Sequence, residues 1–111
     1  MGAYENQNVV GVDDVVVPSF TQLYQNYPNP FNPSTTISFT LNSENTEDTE
    51  LVIYNLKGQK IKTLTVALSG DEGSAIWHGT NQNNKLVSSG IYFYKLKTDN
   101  YEETKKMILL K

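Results

Sequence analysis

What most limits the fold open to this chain is the arrangement of its apolar residues, which come in short runs and show no helical periodicity of convincing length. In Thr36-Ile37-Ser38-Phe39-Thr40-Leu41 polar and apolar residues alternate, which puts Ile37, Phe39 and Leu41 on one face of a half-buried strand. Leu51-Val52-Ile53-Tyr54-Asn55-Leu56 is β-branched and aromatic, and Lys57-Gly58 after it gives residues 55–59 the chemistry of a hairpin loop leading into the run 61–68. A glycine-rich turn at 69–73 precedes Ala75-Ile76-Trp77-His78, and an Asn- and Ser-rich loop occupies 79–89. The last two runs, 90–97 and 102–111, read as a hairpin turning at Asp99-Asn100. About seven strands at intervals of roughly ten residues predict an all-β fold, an antiparallel immunoglobulin-like β-sandwich.

The 111 residues suffice for one core and contain no cysteine, so packing alone must hold the domain together. Trp77, the sole tryptophan, is the natural centre of such a core. Residues 1–19 are polar and then carry Val9-Val10 and Val15-Val16-Val17, closed by Pro18; they read as a linker able to dock as an edge strand, with the domain proper at 20–111. Met1-Gly2 lacks the hydroxyl residue of a myristoylation signal at Asn6 and is most simply an added expression start. Three of the four prolines fall within Pro28-Asn29-Pro30-Phe31-Asn32-Pro33. That density forbids a regular ladder and fixes a stiff extended or turning path, with the aromatic rings beside it anchoring it to the core.

Twelve acidic residues against nine basic give a net charge of −3, the wrong sign for gripping nucleic acid or an anionic membrane. No apolar run approaches the roughly 20 residues that span a bilayer. Catalysis has few candidates, with no thiol and the single His78, so no enzyme activity, no metal and no cofactor is expected. The acidic stretch 44–50 lacks the glycine and the ligand spacing of a calcium loop and reads as solvated. Tyr92 and Tyr94 alternate with Phe93 and Lys95 as strand residues packed on both sides of a sheet do, which favours core packing over sugar stacking.

The ordered series Tyr27-Pro28-Asn29-Pro30-Phe31-Asn32-Pro33-Ser34-Thr35-Thr36-Ile37, Ile53-Tyr54-Asn55-Leu56-Lys57-Gly58, Trp77-His78-Gly79-Thr80, Gly90-Ile91-Tyr92-Phe93-Tyr94 and Lys105-Lys106-Met107-Ile108-Leu109-Leu110-Lys111 resembles the type A C-terminal sorting domain of the type IX (Por) secretion system, over residues 20–111. That resemblance implies an immunoglobulin-like export tag on a larger cargo protein. The cargo would reach the periplasm by a signal peptide, and an outer-membrane translocon would then recognise the tag and pass the cargo to the cell surface or the medium. A sortase-like peptidase would cleave ahead of the domain, within 1–19. The essential signal in the family corresponds to 90–111, which makes Gly90, Tyr92, Tyr94, Lys105, Lys106, Met107, Ile108, Leu109, Leu110 and Lys111 the candidate recognition residues. Pro28, Asn29, Pro30, Phe31, Asn32, Pro33, Gly58 and Trp77 are the structural ones. The chain departs from the family pattern after Trp77, where His78 and Thr80-Asn81-Gln82-Asn83-Asn84 replace an acidic residue and an Asp-, Gly- and Asn-rich turn.

A last strand can be read through its main chain if it lies at a free sheet edge, with Lys105, Lys106 and Lys111 setting charge around the apolar grip of 107–110. The bland alternative is that Met107 and Leu109 close the core while the lysines guard an edge. Two other functions fit the same architecture: a structural or adhesion module related to the immunoglobulin-like domain of flagellar hook-capping proteins, and a carbohydrate-binding appendage of a secreted enzyme. Residues 9–17 and an exposed terminal strand also predict self-association, as a homodimer through edge strands.

Overall fold

The computed structural model describes residues 21–41, 49–99 and 101–111. The expected edge strand at 9–17, the cleavage region within 1–19 and most of the acidic stretch 44–50 lie outside the described residues, as does Asn100 of the last turn.

Eight strands are present among the described residues: β1 (Gln22–Leu23), β2 (Thr35–Thr40), β3 (Glu50–Asn55), β4 (Lys60–Leu64), β5 (Ala67–Ser69), β6 (Glu72–Trp77), β7 (Gly90–Lys97) and β8 (Glu102–Leu109). They form two four-stranded antiparallel sheets, ordered β1-β2-β6-β5 and β4-β3-β7-β8. This is the all-β sandwich that the run spacing predicts. Two strands are added to the six runs expected within these residues: Gln22–Leu23 forms β1, and the run 61–68 does not stay whole, its first half pairing with β3 and its second half with β6, so β4 and β5 lie in different sheets.

Alternation sets each inner face. Ile37, Phe39, Ala75 and Trp77 from one sheet meet Leu51, Ile53, Tyr92, Tyr94, Leu96, Met107 and Leu109 from the other in one buried cluster. Full burial of a large side chain is worth roughly 1.5–3 kcal/mol, so this seam supplies most of the drive to fold. Trp77 is fully buried at its centre, with its ring 5.7 Å from that of Phe31 and 5.1 Å, edge-on, from that of Tyr92. Its Nε1–H donates to the Thr80 carbonyl at 2.8 Å, which satisfies the one polar atom the ring carries inward.

Turn chemistry accounts for the connections. Between β3 and β4 the Asn55 Oδ1 accepts from the Lys57 and Gln59 amides at 3.0 and 2.9 Å, and Gly58 takes φ 82°, a left-handed conformation that penalises any side chain. In the loop after β6, Asn81 Oδ1 accepts likewise from the Asn83 and Lys85 amides. That loop lies along β4, where Gln82 Oε1 accepts from the Thr63 amide at 3.0 Å and Lys62 Nζ donates to Thr80 Oγ1 and Asn84 Oδ1.

Candidate functional site

The two last strands form a hairpin in full register from Gly90 opposite Leu109 to Lys97 opposite Glu102, and β8 is the outermost strand of its sheet. Its alternate residues have opposite fates. Met107 and Leu109 point inward and are fully buried, as are Tyr92 (5 % exposed) and Tyr94 (0 %) on β7. Lys105 also lies on the inner side, half-buried, with Nζ 3.5 Å from the Glu103 carboxylate. Lys106 is exposed on the outer side and Ile108 is half-buried there; Leu110 and Lys111 are exposed beyond the strand. Gly90 opens β7 at φ 151°, which a side chain rarely adopts.

The free main-chain edge of β8 is covered over its last residues. In an antiparallel pair every second residue turns its N–H and C=O away from the partner, and on β8 these residues are 102, 104, 106 and 108. Residues 25–31 run along the last two of these. Asn29 Oδ1 accepts from the Ile108 amide at 3.0 Å, and the Phe31 amide donates to the Ile108 carbonyl at 3.0 Å. One step further the Leu110 amide donates to the Phe31 carbonyl at 2.9 Å, which makes a parallel bridge between Phe31 and Leu109. Gln25 Nε2 donates to the Lys106 carbonyl at 2.9 Å, and the Leu23 amide reaches the Glu103 carboxylate at 3.3 Å. Residues 25–31 therefore cover the Lys106–Leu110 end of the strand that the sequence left as a candidate for edge recognition.

Buried polar contacts hold the seal in place. The Tyr94 hydroxyl accepts from the Asn26 amide and donates to the Tyr24 carbonyl, both at 2.8 Å. Burial pushes that phenol up to about 12, partly offset by the bond from Asn26 and helped slightly by the Glu103 charge. Asn26, itself buried, donates from Nδ2 to the Pro28 carbonyl at 3.1 Å and to Thr35 Oγ1 at 2.9 Å, while Thr35 donates to the same carbonyl at 2.8 Å. Phe31 is the anchor, 2 % exposed beside Trp77. Tyr27 is not, at 80 % exposure; it pairs through its backbone with Thr36, so the segment passes from the edge of one sheet to the edge of the other. Of the expected aromatic anchors only Phe31 serves, because the bridge to Thr36 turns the Tyr27 ring to solvent. Pro28, Pro30, Asn32 and Pro33 are exposed around it and shape the path.

Sequence reasoning gave no role to Gln25, Asn26 and Glu103, which are polar residues with no motif of their own, or to Thr35, which stands inside the proline-rich motif. The only signal available was a run of amides beside prolines. Glu103 also accepts a short hydrogen bond from the Tyr101 hydroxyl, which with the Leu23 amide and Lys105 holds its carboxyl below the usual range. His78 is exposed, its Nδ1 2.9 Å from Ser34 Oγ. Among the described residues no group of three or more His, Cys, Asp or Glu is placed to hold a metal. Of the aromatics that could stack on a sugar, Trp77, Tyr92 and Tyr94 are in the core, while Tyr24 and Tyr27 are exposed.

Residues 25–110 match the family model described as "Secretion system C-terminal sorting domain". None of the curated proteins matches the chain. Among solved structures, PorU from Porphyromonas gingivalis, solved as a latent dimer, superposes with a TM-score of 0.64 at 21 % identity over 91 % of this chain and 10 % of its own. PorZ, an essential bacterial surface component of the type IX secretion system of Porphyromonas gingivalis, superposes with a TM-score of 0.56 at 16 % identity over 80 % of this chain and 11 % of its own. The chain thus spans about a tenth of each, and both likenesses are of fold.

Proposed function

The chain belongs to the family of secretion system C-terminal sorting domains, and from that premise we propose how it is used. Its function is that of a C-terminal sorting signal for type IX secretion, so a cargo protein that carries it is exported to the cell surface or secreted. The partners and the route are our reading. The cargo lies upstream in the parent protein and enters the periplasm on its own signal peptide; an outer-membrane translocon then engages the folded domain at residues 90–111. A sortase-like peptidase cuts ahead of residue 20, and the domain contributes no catalysis of its own.

The observation that carries this reading is that the matched region 25–110 takes in every strand of the described sandwich but β1, including the terminal hairpin. A rigid, closed unit of this kind suits recognition as a folded address. To test it, a periplasmic reporter is fused ahead of the chain in a bacterium that has the system. Surface display with the chain and periplasmic retention without it is the expected result, and retention in both would refute the reading. A homodimer through edge strands is also part of the proposal, with residues 9–17 and the part of β8 before Lys106 as the candidate edges. Sedimentation of a monomer at high concentration would remove it.

A further inference from the structure

The outer face of the sheet β4-β3-β7-β8 has one row that differs from the rest. Cross-strand registers set Lys60 opposite Tyr54, Tyr54 opposite Phe93 and Phe93 opposite Lys106, so the row reads lysine, two aromatics, lysine. The adjacent rung pairs Ile91 with Ile108. Tyr54, Phe93 and Ile108 are half-buried, and Ile91 and Leu56 are 37 % and 67 % exposed. A shallow groove lined by Tyr54, Leu56, Gly58, Phe93, Lys95 and Thr104 runs between the β3–β4 turn and β7.

Charge is distributed unevenly over this face. At its far end Glu50, Lys97 and Glu102 stand side by side, and Lys95 Nζ is 3.0 Å from the Glu102 carboxylate, so charges there are matched. At the aromatic end Lys57, Lys60 and Lys106 are all exposed. Of the nine lysines, all but Lys85 lie in this sheet, in its β3–β4 turn or directly after β8, and the four strands of the other sheet contain none. In a chain of net charge −3, Lys57, Lys60 and Lys106 thus stand around one apolar patch.

We propose that this patch is the surface through which the terminal hairpin is read, and that its occupant is a protein surface of the secretion machinery presenting carboxylates around apolar side chains. The inference rests on the reading above that the machinery engages residues 90–111. With Met107, Leu109, Tyr92 and Tyr94 buried and the main-chain edge of β8 covered from Lys106 to Leu110 by 25–31, the outward side chains are what a partner reaches at this end without unfolding the domain. An apolar centre with charges at its rim is the composition of a specific protein interface, where the rim sets encounter and register. An anionic bilayer is disfavoured by the net negative charge and by Glu50 and Glu102 on the same face.

The test uses the reporter fusion with the full chain in three forms: unaltered, Lys60→Glu with Lys106→Glu, and Lys85→Glu as the same change away from the face. Thermal unfolding of each purified chain checks folding, and the two single reversals replace the double one if its unfolding temperature falls. Surface display is expected to drop about tenfold or more for the reversals, to stay unchanged for Lys85→Glu, and to recover with Lys60→Arg and Lys106→Arg. Display of the reversed forms within about twofold of the unaltered chain overturns the inference and leaves the functional reading intact. Failure of the unaltered chain to be displayed overturns both. Sedimentation of the chain with phosphatidylglycerol vesicles, abolished by the reversals while display is not, would assign the face to lipid and overturn the protein partner.

Discussion

Replacing Tyr94 with phenylalanine removes one oxygen atom from a site where it makes two hydrogen bonds, to the Asn26 amide and the Tyr24 carbonyl. Asn26 is 2 % exposed, so its N–H is left buried and unpaired, at a cost of about 1–3 kcal/mol. The Tyr24 carbonyl belongs to an exposed residue and rehydrates, which adds about 0.5 kcal/mol. A total of about 1.5–3.5 kcal/mol corresponds to a fall in Tm of roughly 6–25 °C for a domain of this size. Urea unfolding followed by the fluorescence of Trp77, which is fully buried and the sole tryptophan, measures it directly. The same substitution has an alkaline signature. The native phenol is pushed up to about 12 from an ordinary value of 10.0, so the unfolded chain releases this proton first. Stability from this group is therefore intact below about pH 10 and is lost as pH rises towards about 12, by at most ~1.4 kcal/mol per unit. Tyr101, also raised to about 12, chiefly by its burial and then by its bond to Glu103, remains in the variant, so the difference between the two curves isolates Tyr94. A destabilisation below about 0.5 kcal/mol at neutral pH, or parallel curves above about pH 10, would refute the assignment of Tyr94 as the post that holds the seal.

Phe31→Ala empties the anchor site beside Trp77 and is expected to cost about 3–5 kcal/mol in urea unfolding, with Phe31→Leu well below that. Asn29→Ala removes the acceptor for the Ile108 amide at the surface; a loss of about 1 kcal/mol is expected, and hydrogen exchange should speed up at Ile108 but not at Met107, whose amide faces β7. Glu103→Gln should flatten the acid limb of stability. Its carboxyl sits below the ordinary 4.5, first because of the Tyr101 hydroxyl, so its contribution is present above that value and lost as pH falls through the lowered one. Thermal unfolding from about pH 6 to about pH 2 checks this, and identical acid limbs would remove Glu103 from the seal.

Most of the sandwich was legible because strand alternation is a local property. Ile37, Phe39 and Leu41, then Tyr92, Tyr94 and Leu96, then Met107 and Leu109, each follow a period of two, and all are buried in the one core. The hairpin loop at 55–59 announced itself by Asn and Gly, and the ordered motifs from Tyr27 to Lys111 carried the family. The run 61–68 reads as one strand because nothing local marks the point where it leaves one sheet for the other.

The ending of the chain shows where such reading stops. The residues of 104–111 determine that it is a strand with Met107 and Leu109 inward and lysines beside them. Whether its edge is open depends on Gln25, Asn29 and Phe31, some eighty positions earlier, and on a tyrosine of the neighbouring strand that fixes their path. The gathering of lysines around Tyr54 and Phe93 likewise exists only once three cross-strand registers are set. Periodicity decides what a segment is because it acts between neighbours in sequence. What covers the segment, and which charges it shares a face with, is decided by contacts between residues that meet only when the two sheets close.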